Sequence, residues 1–155
     1  MTYNHAQHLT TPNGTVRCPA CTTVGATLRC DCGAYVIALG RKDKVLTQNV
    51  ERKINHYTRA AIVKTWRDAA HVLCKAAKIP AIPAIIVYVE YCPTNSIRRD
   101  AGNIYPTAKA IVDGIVDAGI IPDDDWHHCD GPRMSIGPIM RPANVTLAII
   151  PAVMA

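Results

Sequence analysis

The sequence contains no phenylalanine, and only 5% of its 155 residues are aromatic. A core built from it must be packed mostly by isoleucine, valine and alanine. It also lacks any apolar run approaching the length that spans a bilayer, which predicts no membrane association. The opening MTYNHAQHLT has neither the basic start nor the apolar stretch of a secretion signal. We therefore expect a cytoplasmic protein, in a compartment that keeps thiols reduced. No internal repeat is visible. What is present is a chain of ordinary domain size with 49% hydrophobic residues, enough to bury a core and too many for a disordered chain.

The formal charge of +5 is moderate, but it is unevenly placed. Between Arg41 and Lys78 stand Arg41, Lys42, Lys44, Arg52, Lys53, Arg59, Lys64, Arg67, Lys75 and Lys78, against only Asp43, Glu51 and Asp68. From Asp100 to Asp130 the sign reverses, with seven aspartates against the single base Lys109. A basic stretch suits a phosphate backbone, because each neutralised phosphate releases counterions. A solvated helix face explains it equally well. The acidic cluster needs its own reason, since carboxylates repel unless a cation or a base holds them.

Residues 18–33 read CPACTTVGATLRCDCG. Cys18 and Cys21 form a C-x-x-C pair, and Cys30 and Cys32 a C-x-C pair closed by Gly33. Two close thiol pairs across a short loop match a structural, all-cysteine Zn²⁺ knuckle. The competing readings are two disulfides or four unrelated buried thiols, and a reducing compartment argues against the first. Cys74, Cys92 and Cys129 are scattered and read as core or incidental thiols. We divide the chain into residues 1–40, an N-terminal segment with the knuckle, and residues 41–155, the main domain.

Within the main domain, residues 59–78 have helical period, with Ile62, Trp66, Ala69 and Leu73 on one face. Residues 84–91, AIIVYVEY, are short and β-branched, the pattern of a buried strand. After a loop, Pro106 opens a second helix that ends at Gly119. Its apolar face holds Ala108, Ile111, Val112, Ile115 and Val116, while Lys109, Asp113 and Asp117 share the other. Residues 126–136 and 143–150 are weaker strand candidates. The order predicts an α+β fold, a mixed β-sheet with two main helices, preceded by the small four-cysteine knuckle.

Asp100 follows Arg98 and Arg99 in the loop, and Asp123, Asp124 and Asp125 come just after the second helix. If that helix packs back on the sheet, the acidic groups arrive at one end of it. Hard carboxylate ligands suit Mg²⁺ or Mn²⁺, which can activate water for attack on phosphorus. Arginines can clamp phosphate and a lysine can stabilise the charge that develops. Spacing alone leaves a solvated turn and a surface helix as the alternative.

The run RRDAGN, then Lys109, Asp113, Gly119 and the Asp123–Asp124 pair resembles the signature of the RusA-like Holliday junction resolvases. From Lys109 onward the spacing K-x3-D-x5-G-x3-DD is kept. Asn49, Arg52 and the stretch HYTRAAIVKTWRDAA are similar to that family's N-terminal loop and first helix. The similarity spans roughly residues 45–150. It implies a homodimeric Mg²⁺-dependent (or Mn²⁺-dependent) endonuclease that cuts branched, four-way DNA and is mostly encoded by phages and prophages, here working in the host bacterial cytoplasm. Carried over by position, Asp100, Lys109 and Asp124 are catalytic, and Asp100, Asp113, Asp123 and Asp124 bind the metal. Asn49, Arg52, Lys53, Arg98, Arg99 and Asn103 contact DNA.

Gly102 stands where the family has an aspartate, so one expected metal ligand is missing, and three additional residues separate Asn103 from Lys109. The Asp-x-Gly-Asn form followed by Tyr-Pro-Thr resembles an actinobacterial and actinophage variant. Asp113 is the first candidate to fill the vacancy and Asp125 the second, and water is the third, since Mg²⁺ keeps several waters readily. Besides a resolvase acting in recombination and repair, the sequence allows a non-catalytic zinc-ribbon nucleic-acid-binding protein with a degenerate nuclease-like domain. A structural factor whose acidic cluster only binds a cation is the third reading.

Overall fold

The computed structural model describes residues 17–22, 29–40 and 44–152. The opening MTYNHAQHLT, the knuckle's 23–28 tip and the charges of Arg41, Lys42 and Asp43 lie outside these residues. The chain is an α+β protein with one mixed four-stranded sheet. Its strands are β1 (Tyr35–Gly40), β2 (Ile85–Cys92), β3 (Cys129–Ile136) and β4 (Asn144–Pro151), in the spatial order β1-β4-β2-β3. β4 runs antiparallel to both β1 and β2, whereas β2 and β3 are parallel. The parallel pair needs a crossover, and the helix between these strands supplies it. Among the described residues no helix is long and apolar enough to cross a membrane.

Three helices accompany the sheet: α1 (Gln48–Glu51), α2 (His56–Ala76) and α3 (Tyr105–Asp117). Asn55 caps α2 by accepting from Thr58 N–H at 2.9 Å, which satisfies one orphan donor of its first turn. Pro106 sits in the first turn of α3, and Gly119 follows its C-cap with φ +77°, as the sequence predicts. The buried face of α2 is Ile62, Trp66, Ala70, Leu73 and Cys74. Ala69, expected on that face, is only half-buried, since the face turns by one residue toward Ala70.

Period-2 alternation divides the sheet residues between two covers. Ile37, Leu39, Val87, Val89, Leu147 and Ile149 pack under the helices. Val36, Ala38 and Ala148 face the other way, against Cys18, Cys30 and Ala34. The cysteine segment is thus a lid on the second face of the sheet. Arg17, beside Cys18, reinforces it by pairing at 3.4 Å with Glu90, whose carboxyl is buried and raised in pKa by that burial. β1 was not anticipated by periodicity, and it enters the main sheet ahead of the expected boundary at residue 41. Cys74, Cys92 and Cys129 are buried free thiols.

Helices α2 and α3 pack backbone against backbone at Gly114. A Cβ there would lie 2.4 Å from the Arg67 carbonyl oxygen and 2.7 Å from Ala70 Cβ. Backbone cannot swing aside, so the glycine is kept despite its poor helix propensity. Arg67 Nη2 also donates to Asp117 Oδ1 at 2.8 Å across the same interface. Gly114→Ala should gain helix propensity yet lose about 1–3 kcal/mol overall through overpacking, read as a lower denaturation midpoint. A stabilised variant would show that the helices are free to separate.

Candidate functional site

Two walls, distant in sequence, enclose the site. The first is the segment 44–47 with α1. Trp66, fully buried, donates its indole N–H to the Lys44 carbonyl at 3.2 Å. The buried Thr107 hydroxyl donates to the Leu46 carbonyl at 2.9 Å and accepts from Leu46 N–H at 2.8 Å. Buried backbone groups need such partners, and here both come from one side chain of α3. Thr47 then caps α1, accepting from Val50 N–H at 3.2 Å.

The second wall follows β2. Arg99 donates to the Asn95 carbonyl at 3.2 Å, the Ile97 carbonyl at 2.7 Å and Asn95 Oδ1 at 2.7 Å. Its guanidinium also lies 6.0 Å from the Tyr91 ring centroid. Arg99 therefore folds the loop, whereas Arg98 is exposed and makes no side-chain hydrogen bond among the described residues. Asp100 caps a 3₁₀ turn, Ala101–Ile104, accepting from Gly102 N–H at 2.9 Å. A Cβ at Gly102 would sit 3.4 Å from Asp100 Oδ1, in ordinary contact, so sterics do not demand glycine there.

Between the walls is a cavity of about 400 Å³. Five of the residues expected to act on DNA line it: Asn49, Arg98, Arg99, Asp100 and Asn103. Lys44, Thr47, Tyr91 and Thr94 line it too and were not anticipated. The β-strand pattern of 84–91 hides Tyr91 among core residues, and nothing local marks the others. Arg52 and Lys53 are exposed beyond the end of α1 and do not line the cavity.

The remaining acidic residues form a separate group around Lys109. Its ammonium bonds Asp113 one turn along α3 and lies 2.7 Å from Asp124 Oδ2. Partial burial works against the lysine's charge, but hydrogen bonds to Asp113 and Asp124 outweigh it and raise its pKa. The same bond holds the Asp124 carboxyl below the usual carboxylate range. Lys109 and Asp124 are both charged at neutral pH. Asp123 accepts from Asp124 N–H at 2.8 Å, and Asp125 from His127 N–H at 2.9 Å.

The expected convergence of Asp100, Asp113, Asp123 and Asp124 on one cation is not preassembled. Among the described residues, the sole group of three or more metal-ligating side chains within 4.8 Å of one another is the cysteine cluster. Each of these carboxylates has a protein donor: Gly102 N–H for Asp100, Lys109 for Asp113 and Asp124, and Asp124 N–H for Asp123. Asp113 in particular bonds Lys109 one turn back along α3.

Cys18, Cys21, Cys30 and Cys32 do converge. Cys18 and Cys32 sulfurs lie 3.8 Å apart and Cys21 and Cys30 sulfurs 3.6 Å apart. A tetrahedral zinc with Zn–S bonds of about 2.3 Å places its sulfurs roughly 3.8 Å apart, whereas a disulfide needs about 2.05 Å. The donor set can therefore hold a zinc ion, and the four thiols are not paired as disulfides.

Thr107→Val keeps the shape of the side chain but strands both polar groups of the buried Leu46. It should cost about 1–3 kcal/mol, seen as a lower melting temperature, and loosen the cavity wall that carries Asn49. Unchanged melting would show that the segment 44–47 is held by Trp66 alone.

Compared against protein-family models and curated protein sequences, the chain finds no match in either.

Proposed function

We propose that this chain is a RusA-like, metal-dependent DNA endonuclease that resolves four-way junctions by paired symmetric nicks. It would serve phage or prophage recombination and repair in a bacterial cytoplasm. The observation that carries this reading is the cavity, where five residues matched to the family's motifs by sequence line one small space. Arg98 is uncommitted there and suits a phosphate oxygen. Asp100 spends one carboxylate oxygen on the 3₁₀ turn and has the other for chemistry.

Mg²⁺ commonly binds through one or two carboxylates, water and substrate phosphate, so these donors fit it without a closed cage. Asp100 and Asp124 are the residues to hold it, and when bound it supplies activation of water. Lys109, kept protonated by Asp113 and Asp124, offers a positive charge to the phosphate as negative charge builds. A two-fold dimer supplies the pair of cuts that resolution requires.

One observation favours the other reading, a zinc-ribbon nucleic-acid-binding protein without catalysis. Lys109 already pairs with both Asp113 and Asp124, and Gly102 offers no carboxylate. A labelled four-way junction separates the two. In Mg²⁺ the protein, dimeric by light scattering, should nick it symmetrically near the branch point and spare linear duplex. Asp100→Asn should lower cleavage about a hundredfold or more while binding is kept. Mobility shifts with no cutting in Mg²⁺ or Mn²⁺ would establish the binding protein instead.

The cysteine group is proposed to hold one structural Zn²⁺. A closed four-thiolate site contributes folding free energy outright. Protein purified without chelator should contain about one zinc per chain, and Cys32→Ser, at the exposed ligand, should lose it and melt earlier. No zinc, with four freely titrating thiols in the folded chain, would overturn this.

A further inference from the structure

The cavity between α1 and the loop after β2 combines three kinds of surface that one ligand class matches. Ile104 and Ala143 are buried and form its apolar depth, together with half-buried Val45 and Val50. Half-buried Tyr91 adds an aromatic ring. Asn49 and Asn103 contribute side-chain amides that bond no other described residue. At the exposed rim stand the cations of Lys44 and Arg98.

A nucleotide has the complementary parts. Its base is flat and apolar on both faces, with donors and acceptors on the edge, and its phosphate is anionic. Proteins that read unpaired bases stack them on aromatic rings and bond their edges with side chains such as amides. The cavity of about 400 Å³ is at the small end of ligand sites, which run from roughly 300 to 1,000 Å³, and admits one nucleotide but no duplex.

We infer that this cavity is a binding site for a single unpaired DNA nucleotide, its base against Tyr91 and the amides of Asn49 and Asn103, its phosphate at Lys44 and Arg98. The inference rests on the nuclease reading for its ligand class and not for its metal chemistry. Asp100 lines the same cavity, so a nucleotide seated there brings its phosphate to the carboxylate. Base identity is then sensed by Asn49 and Asn103, making them the residues that set any sequence preference at the cut.

The test is a titration of the isotope-labelled full chain with each deoxynucleoside 5′-monophosphate and, separately, inorganic phosphate, without added magnesium. Side-chain amide signals of Asn49 and Asn103 should shift with nucleotide and not with phosphate. Asn49→Ala, an exposed change that leaves the fold intact, should weaken nucleotide binding about tenfold. Equal responses to nucleotide and phosphate would reduce the cavity to an anion site and overturn the inference. So would no response at millimolar nucleotide. If nucleotides bind but junctions are never cut, the nuclease reading falls and the cavity assignment stands; cutting without nucleotide binding has the reverse meaning.

Discussion

Where α3 crosses α2, Gly114 lets backbone meet backbone, and most of the functional surface is positioned from that contact. It fixes α3 against the layer that covers the sheet. From α3, Thr107 reaches the segment before α1, Lys109 reaches the Asp124 loop, and Asp117 returns to Arg67 on α2. One short helix thus anchors one wall of the cavity and carries the cation of the acidic group. The 3₁₀ turn that begins at Asp100 runs directly into it, so displacement of α3 would move both parts together.

The division of labour between the two arginines follows from the same economy of contacts. A loop of about seven residues leaving a strand has few backbone partners of its own. Arg99 supplies them, with three hydrogen bonds that bend the chain back over Tyr91. Its neighbour is thereby held outward with its charge unspent. Two identical neighbours in sequence consequently differ in place, one bonded into the loop and one left exposed at the cavity.

Much of this architecture is legible in the residues themselves. The α3 apolar stripe, Pro106 at its start and Gly119 past its end are strong local signals, and the structure follows them. The C-x-x-C and C-x-C pairs announce a cluster that geometry then closes. β1 was missed because Tyr35–Gly40 is short and follows a motif that draws attention to its cysteines; its alternation becomes meaningful only once β4 lies beside it. The acidic centre was legible in identity and not in arrangement. Spacing can place carboxylates at one end of a helix, but it cannot show that Lys109 is shared between two of them. Lys44, Tyr91 and Thr94 were invisible as site residues because their role comes from tertiary closure, with Trp66 and Thr107 holding the facing segment.

The cysteine segment has a consequence for how the protein behaves in a crowded cell. It covers Val36, Ala38 and Ala148 on the sheet and leads straight into β1, the outer strand among the described residues, which it meets through a bridge between Arg29 and Tyr35. If that segment came undone, the newly wetted apolar patch would adjoin an outer strand stripped of its Arg29–Tyr35 bridge, the combination that templates strand addition between chains. Keeping the four sulfurs together is thus a safeguard against self-aggregation, and scarcity of whatever holds them would appear first as insoluble protein.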